Sequence, residues 1–191
     1  HSSRRRFAAR LNSGVRHHMT DHHYVCSSCG KTHDGLPTDW GFKLPDEVFD
    51  LSYLDKYRRS RFNTDLCALD EKRFFIRGIL VIPFTHQEGE FVWGVWAEVS
   101  KSVHDFYVDN YSNELAQGVK AEGTLANTIP GFSEITGLPL EIELQSAKSR
   151  PVFTFPDSAD HELAMDQRDG IDHNRHHHFL ELCGHFDESG A

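Results

Sequence analysis

Arg73-Phe-Phe-Ile-Arg77-Gly-Ile-Leu-Val-Ile-Pro83-Phe84 is followed, after a loop holding Gly89, by Glu90-Phe-Val-Trp-Gly-Val-Trp96-Ala-Glu-Val-Ser100. The first run is rich in β-branched and aromatic residues, and its Pro83 fits the end or edge of a strand. In the second run Phe91, Trp93, Val95, Ala97 and Val99 fall on one face, because successive side chains of a strand alternate. With a short strand at Leu66–Leu69 and a turn at Asp70-Glu71-Lys72 before them, the two runs predict an antiparallel meander. Trp93 and Trp96 fall on opposite faces, so one belongs to the core and the other lies under a helix or faces a ligand.

Working outward, Leu140, Ile142 and Leu144 alternate with Glu141, Glu143 and Gln145, the pattern of a half-buried strand. Val152 to Phe155, bounded by Pro151 and Pro156, adds another. Pro45 with Asp46 and Glu47 suits a helix start, and Val48, Phe49, Leu51, Leu54 and Tyr57 carry broadly helical spacing toward Arg61. Ser102 and Asp105 resemble a capping box ahead of Val103, Phe106, Tyr107 and Tyr111. Ser158 suits the cap of a helix through Gln167 that stops near Gly170, and Asp172 the cap of a last one to Cys183. Strands in runs and helices at the ends predict an α+β fold, a mainly antiparallel sheet with flanking helices.

A chain of 191 residues is sized for one core. The formal net charge is −9, yet residues 1–18 hold five arginines and no acid, so removing those five charges leaves −14 on the rest. A surface so negative disfavours nucleic acid, the nearest thing to a basic stripe being Arg58, Arg59 and Arg61. No apolar run approaches the roughly 20 residues that span a bilayer. Residues 1–18 read as upstream sequence translated from a misplaced start, a mitochondrial-type presequence being the alternative, with Met19 the suspected first residue and 19–187 a single domain.

Cys26-Ser-Ser-Cys29-Gly30, with His33 beyond, is the sharpest chemical signal. Two thiolates separated by two residues can bite one zinc ion, and a glycine after the second relieves crowding as the backbone turns back. Cys26, Cys29 and His33 are therefore candidate zinc ligands in an N-terminal Cys-x-x-Cys knuckle. A closed site needs four, and His22, His23, Cys67, Cys183 or His185 would complete it. Unmetallated structural thiols and a redox pair remain as alternatives. Four scattered cysteines make no disulfide framework and suit a reducing, cytoplasmic compartment.

Other polar clusters have plainer readings beside their functional ones. His173, His176 and His177 would share a helix face able to hold a metal, or form a solvent-facing polar side. His161-Glu162 lacks the second histidine of a zinc-protease motif, since Met165 holds that position. Asp160, His161, Asp166, Gln167, Arg168 and Asp169 line a pocket or serve as caps and surface ion pairs. Arg77, amid apolar neighbours, requires a carboxylate, a carbonyl or an anion. Phosphate-binding loops, dinucleotide fingerprints and a nucleophile elbow are missing from the sequence.

Five separated blocks carry a resemblance: Tyr24-Val-Cys26-x-x-Cys29-Gly30-x-x-His33; Asp65-Leu-Cys67 with Phe75-Ile-Arg77-Gly78; Trp93-Gly-Val-Trp96 running to Ser100; Arg150-Pro151; and Asp160-His161-Glu-Leu-Ala-x-Asp-Gln167-x-x-Gly170-Ile171. From Tyr24 to Cys183 the chain resembles the bacterial family called domain of unknown function 2199. That resemblance implies a small cytosolic bacterial protein and supplies no mechanism. The functional expectation is a non-enzymatic, zinc-stabilised binding or protein-interaction module, recognising a protein partner through its acidic surface. The alternative is a metal-dependent hydrolytic enzyme with His161, Asp166 and Arg77 around one pocket.

Overall fold

The computed structural model describes residues 23–25, 32–147 and 149–184, with side chains from residue 35 onward. Among the described residues, ten strands and five α-helices follow one another: β1 His23–Val25, β2 Thr32–Asp34, β3 Asp39–Gly41, α1 Asp46–Phe49, α2 Tyr53–Arg59, β4 Ser60–Phe62, β5 Leu66–Leu69, β6 Arg73–Pro83, β7 Glu90–Val99, α3 Lys101–Asn110, β8 Lys120–Leu125, β9 Pro139–Glu143, β10 Val152–Thr154, α4 Glu162–Asp169 and α5 His173–Leu182. β1 and β2 form an antiparallel pair in which Tyr24 stands opposite His33.

The long β6–β7 hairpin is the spine, paired antiparallel from Phe74↔Val99 to Pro83↔Glu90. Opposed residues of an antiparallel pair share a face. Ile76 with Ala97, Leu80 with Trp93 and Ile82 with Phe91 therefore all point inward, and each is fully buried. The meander expected for this stretch is present.

The sheet does not stay open. β8 continues β7, β9 continues β8, β10 continues β9, and β10 returns to β6 through Val152↔Ile79 and Phe153↔Leu80. β6 to β10 thus close a five-stranded barrel. Five strands alternating in direction leave the first and last pointing the same way, so parity forces the closing seam to be parallel. The sheet is mainly antiparallel as expected, and its closure adds this parallel seam, while β3 makes a second parallel pairing beside β7. β8 joins β7 at its C-terminal end, whereas β10 joins β6 nearer its middle, the stagger that barrel closure requires.

Gly78 makes room for the closure. A Cβ there would lie 2.3 Å from the Phe153 ring, which fills the barrel at that level. Gly170, with φ +81°, ends α4, and a Cβ there would lie 2.9 Å from the Pro83 carbonyl oxygen, so only a glycine lets the chain rejoin the sheet at the Phe84↔Ile171 bridge.

A smaller core sits on the outer face of the spine: Val48, Cys67, Leu69, Phe75, Trp96 and Ala126. Trp93 and Trp96 are thus both core residues, Trp93 inside the barrel and Trp96 near α1. Asn127, fully buried, fastens this layer. Its Oδ1 accepts from Trp96 N–H at 2.8 Å, and its amide donates to the Leu44 carbonyl and the Asp46 carboxylate. Removing it would strand the Trp96 N–H, a loss of about 1–3 kcal/mol.

Three helix starts differ from expectation. The 45–61 segment breaks at Asp50–Ser52 into α1 and α2, because the Ser52 side chain accepts from Asp55 N–H and caps a new helix. α3 is capped by Ser100, the first residue after β7, rather than by Ser102. α4 is capped by His161, whose Nδ1 accepts from Ala164 N–H at 3.2 Å, rather than by Ser158. Asp172 caps α5 as expected.

Candidate functional site

Of the sequence-derived zinc ligands, Cys26 and Cys29 lie outside the described residues, and His33 is described only as the backbone partner of Tyr24. Cys67 is buried in the outer core, and burial pushes its thiol up to about 12. Cys183 is half-buried and raised to about 12 by the same cause. Both behave as small apolar residues, since thiolate formation is suppressed. Among the described residues, no group of three or more His, Cys, Asp or Glu side chains is arranged to hold a metal ion.

The C-terminal histidines do not act together. His176 turns inward and is 1% exposed, its Nε2 bonded to the Pro37 carbonyl at 2.7 Å and its ring 4.6 Å from Phe84. His177 turns outward toward Glu181. The side chains share neither a metal site nor a uniformly solvent-facing side.

The pocket expected around His161, Asp166 and Arg77 is not assembled. His161 caps α4 and stands edge-on to Phe155 at 4.5 Å. Asp166 is clamped by Arg175, whose Nε and Nη2 lie 3.0 and 2.8 Å from it. Gln167 bonds both the Phe153 carbonyl and the Phe155 N–H, satisfying the backbone where β10 ends. Phe155 lies two residues past Phe153, which pairs with Leu80, whereas Arg77 lies three residues before Leu80. That separation is about 16 Å along β6.

Two surface features emerge in their place. The first is the α2–β4 face. α2 buries none of its residues. Tyr53 is 84% exposed, Tyr57 77% and Leu54 58%, with Phe49 and Phe62 more than half exposed. Tyr53, Lys56 and Tyr57 follow i, i+3, i+4 spacing and share a side. They line, with Arg58, Arg61 and Phe62, a groove of about 590 Å³. Lys56 bridges to α1 by lying 5.1 Å over the Phe49 ring. Arg59 is occupied by Asp70 through two bonds of 3.0 and 2.7 Å. The apolar periodicity that foretold a helix here was visible, but not that its face would remain open.

The second is a pocket of about 630 Å³ between α3 and the loop ahead of β10. Asp65 is its hub, accepting from Arg150 Nε at 2.8 Å and from the Tyr111 hydroxyl at 2.9 Å. That hydrogen bond raises the Tyr111 hydroxyl above its ordinary value, and burial raises Tyr107. Burial foremost, then the neighbouring Arg150, lowers Arg77 against the smaller upward pull of Asp65. Asp65 and Arg150 were visible in the sequence only as residues of the family-like blocks, and Tyr107 and Tyr111 only as helix-spaced apolar positions.

Fold and surfaces together define a closed five-stranded barrel domain with helices at its flanks and an aromatic, basic face at the end of its extended sheet. Residues 25–171 match the family described as an uncharacterized protein conserved in bacteria, domain of unknown function 2199, and the chain belongs to that family. No curated protein and no solved structure matches it. Among the described residues no helix is long and apolar enough to cross a membrane.

Proposed function

We propose that this chain is a protein-interaction domain whose α2–β4 face docks an acidic, apolar segment of a partner protein. The carrying observation is the groove of Tyr53, Tyr57 and Phe62 rimmed by Lys56, Arg58 and Arg61. Exposed aromatic groups gathered in one place favour a partner surface. Their basic rim, on a chain of net charge −9, selects an acidic one. A long nucleic acid would meet repulsion beyond this patch, whereas a short acidic segment stays within it. This refines the expectation of recognition through the protein's own acidic surface: the complementary acid belongs to the partner.

Cys26, Cys29 and His33 complete the proposal as zinc ligands that stabilise the N-terminal hairpin in a cytoplasmic setting. Antiparallel pairing of β1 with β2, which brings together the chain on either side of the two cysteines, supports this reading. Elemental analysis of protein purified without affinity resin should find about one zinc per chain; none would refute it. The hydrolase alternative loses support because His161, Asp166 and Arg77 do not converge.

Docking is tested with arrayed peptides of acidic, neutral and basic composition, alongside single-stranded oligonucleotides. Acidic peptides bearing leucine or aromatic residues should bind, and the Tyr53→Ala/Tyr57→Ala variant should weaken them by about tenfold or more. Preference for neutral or basic peptides, unchanged binding by the variant, or tighter binding of oligonucleotide would overturn the proposal.

A further inference from the structure

The pocket between α3 and the loop ahead of β10 is built around a charge pair that balances itself. Asp65 accepts from Arg150 Nε at 2.8 Å and from the Tyr111 hydroxyl at 2.9 Å, so each of its oxygens holds a donor. Among the described lining residues Arg150 is the one cation and Asp65 the one anion, which leaves the lining without net charge. Arg77 adds none, because its guanidinium lies outside the pocket. It sits in a cradle left by Gly41 and Gly94, where a Cβ would lie 2.8 and 3.6 Å from Nη2. Tyr107 and Tyr111 stay protonated at neutral pH, burial foremost raising the first and the bond to Asp65 foremost raising the second. A charged ligand would enter without a counter-charge or would have to break the Asp65–Arg150 pair, and either is costly.

What the pocket offers instead is hydrogen bonding left unspent. Tyr107 is 4% exposed and lines the pocket, yet its hydroxyl bonds to none of the described residues. A tyrosine buried to that degree ordinarily finds a partner for its hydroxyl. Arg150 holds Asp65 through Nε alone, and its two terminal nitrogens enter no hydrogen bond or ion pair among the described residues. Gln145 turns its amide nitrogen to Glu143, which leaves the amide oxygen to accept. The wall thus holds both donors and acceptors, while Ile79 and Val152, register partners on β6 and β10, form an apolar floor. At about 630 Å³ the space has the size of a small-molecule site.

We propose that this pocket binds an uncharged mono- or disaccharide through Tyr107, Arg150 and Gln145, with Ile79 and Val152 against a C–H face of the ring. A sugar hydroxyl donates and accepts at the same oxygen, which suits a lining that supplies both. The ring carbons present hydrogens to the floor and strand no polar group there. A simple amide or ketone would engage the donors through one oxygen and leave most of these groups unpaired. Tyr107, nearly buried and committed to nothing within the chain, is the residue whose hydroxyl the ligand completes. This site is separate from the α2–β4 groove and stands or falls independently of it.

The test uses the full chain with glucose, galactose, mannose, xylose and maltose, and with glucuronate, glucosamine and benzamide for comparison. ¹H–¹⁵N spectra follow the Arg150 Nε–H and the backbone amides of α3, and the thermal midpoint is read alongside. At least one neutral sugar should shift these signals saturably and raise the midpoint. Tyr107→Phe should weaken that sugar by about fivefold or more, since the lost hydroxyl leaves a ligand group unpaired. Without ligand, the variant's midpoint should hold, because the hydroxyl has no partner inside the chain. A fall in that midpoint, or a variant that does not fold, would mark the hydroxyl as structural and overturn the proposal. So would unchanged sugar affinity in the variant, or glucuronate, glucosamine or benzamide binding more tightly than every neutral sugar. A wild-type titration in which no sugar shifts the Arg150 signal overturns it without any variant.

Discussion

Helices α2 and α5 invert what their compositions suggest. α2 offers two tyrosines and a leucine and buries none of its residues, whereas α5, rich in histidine, buries His176, Phe179 and Leu180. The difference lies in what each helix meets. α5 packs onto barrel aromatics, with Phe179 5.5 Å from Phe91 and 5.3 Å from Trp93. α2 precedes β4, the last strand of the extended sheet, where no further strand among the described residues continues the layer. An apolar stripe records that a helix has a face to cover; the topology decides whether the chain itself covers it.

The sharpest break of this contrast is mutational. Phe179→Ala, at a site 1% exposed, should cost about 3–5 kcal/mol through lost burial and the cavity left behind. Tyr57→Ala should change stability by no more than about 0.5 kcal/mol. Paired denaturant unfolding curves check both, and similar losses at the two sites would erase the distinction.

A smaller effect sharpens the same contrast through pH. Burial lowers His176 below the ordinary histidine value, opposed by its bond to the Pro37 carbonyl and reinforced by His86, His173 and His177. The unfolded chain takes up a proton near pH 6.5 while folded His176 resists it. Its contribution is therefore complete above that pH and is lost as pH falls from about 6.5 toward the folded value. His161, lowered chiefly by burial, acts with the same sign. Unfolding free energy should decline from pH 7 to pH 5.5, less steeply in His176→Gln. A flat profile, or one unchanged in that variant, contradicts the buried setting of His176.

The spine was legible in the sequence because Phe91, Trp93, Val95, Ala97 and Val99 put an apolar residue at every second position of β7. Barrel closure was not, since it rests on the two β10–β6 register pairs, made between segments about seventy residues apart in the chain. The break between α1 and α2 was hidden because the local cap at Ser52 overrode an apolar spacing that runs through it. Of the site, Arg77 was recognisable as a charge in want of a partner. Its cradle was not, because Gly41 and Gly94 meet only through the parallel β3–β7 pairing. His161 and Asp166 misled because capping and ion pairing use the same side chains that catalysis does.

Hydroxyl-radical footprinting of the isolated chain, resolved residue by residue by mass spectrometry, tests most directly whether the α2–β4 face is open. Tyr53, Tyr57 and Phe62 should oxidise rapidly while Trp93, His176 and Phe179 stay protected. Tyrosines as protected as Phe179 would mean that the chain already covers this face, and no docking surface would remain.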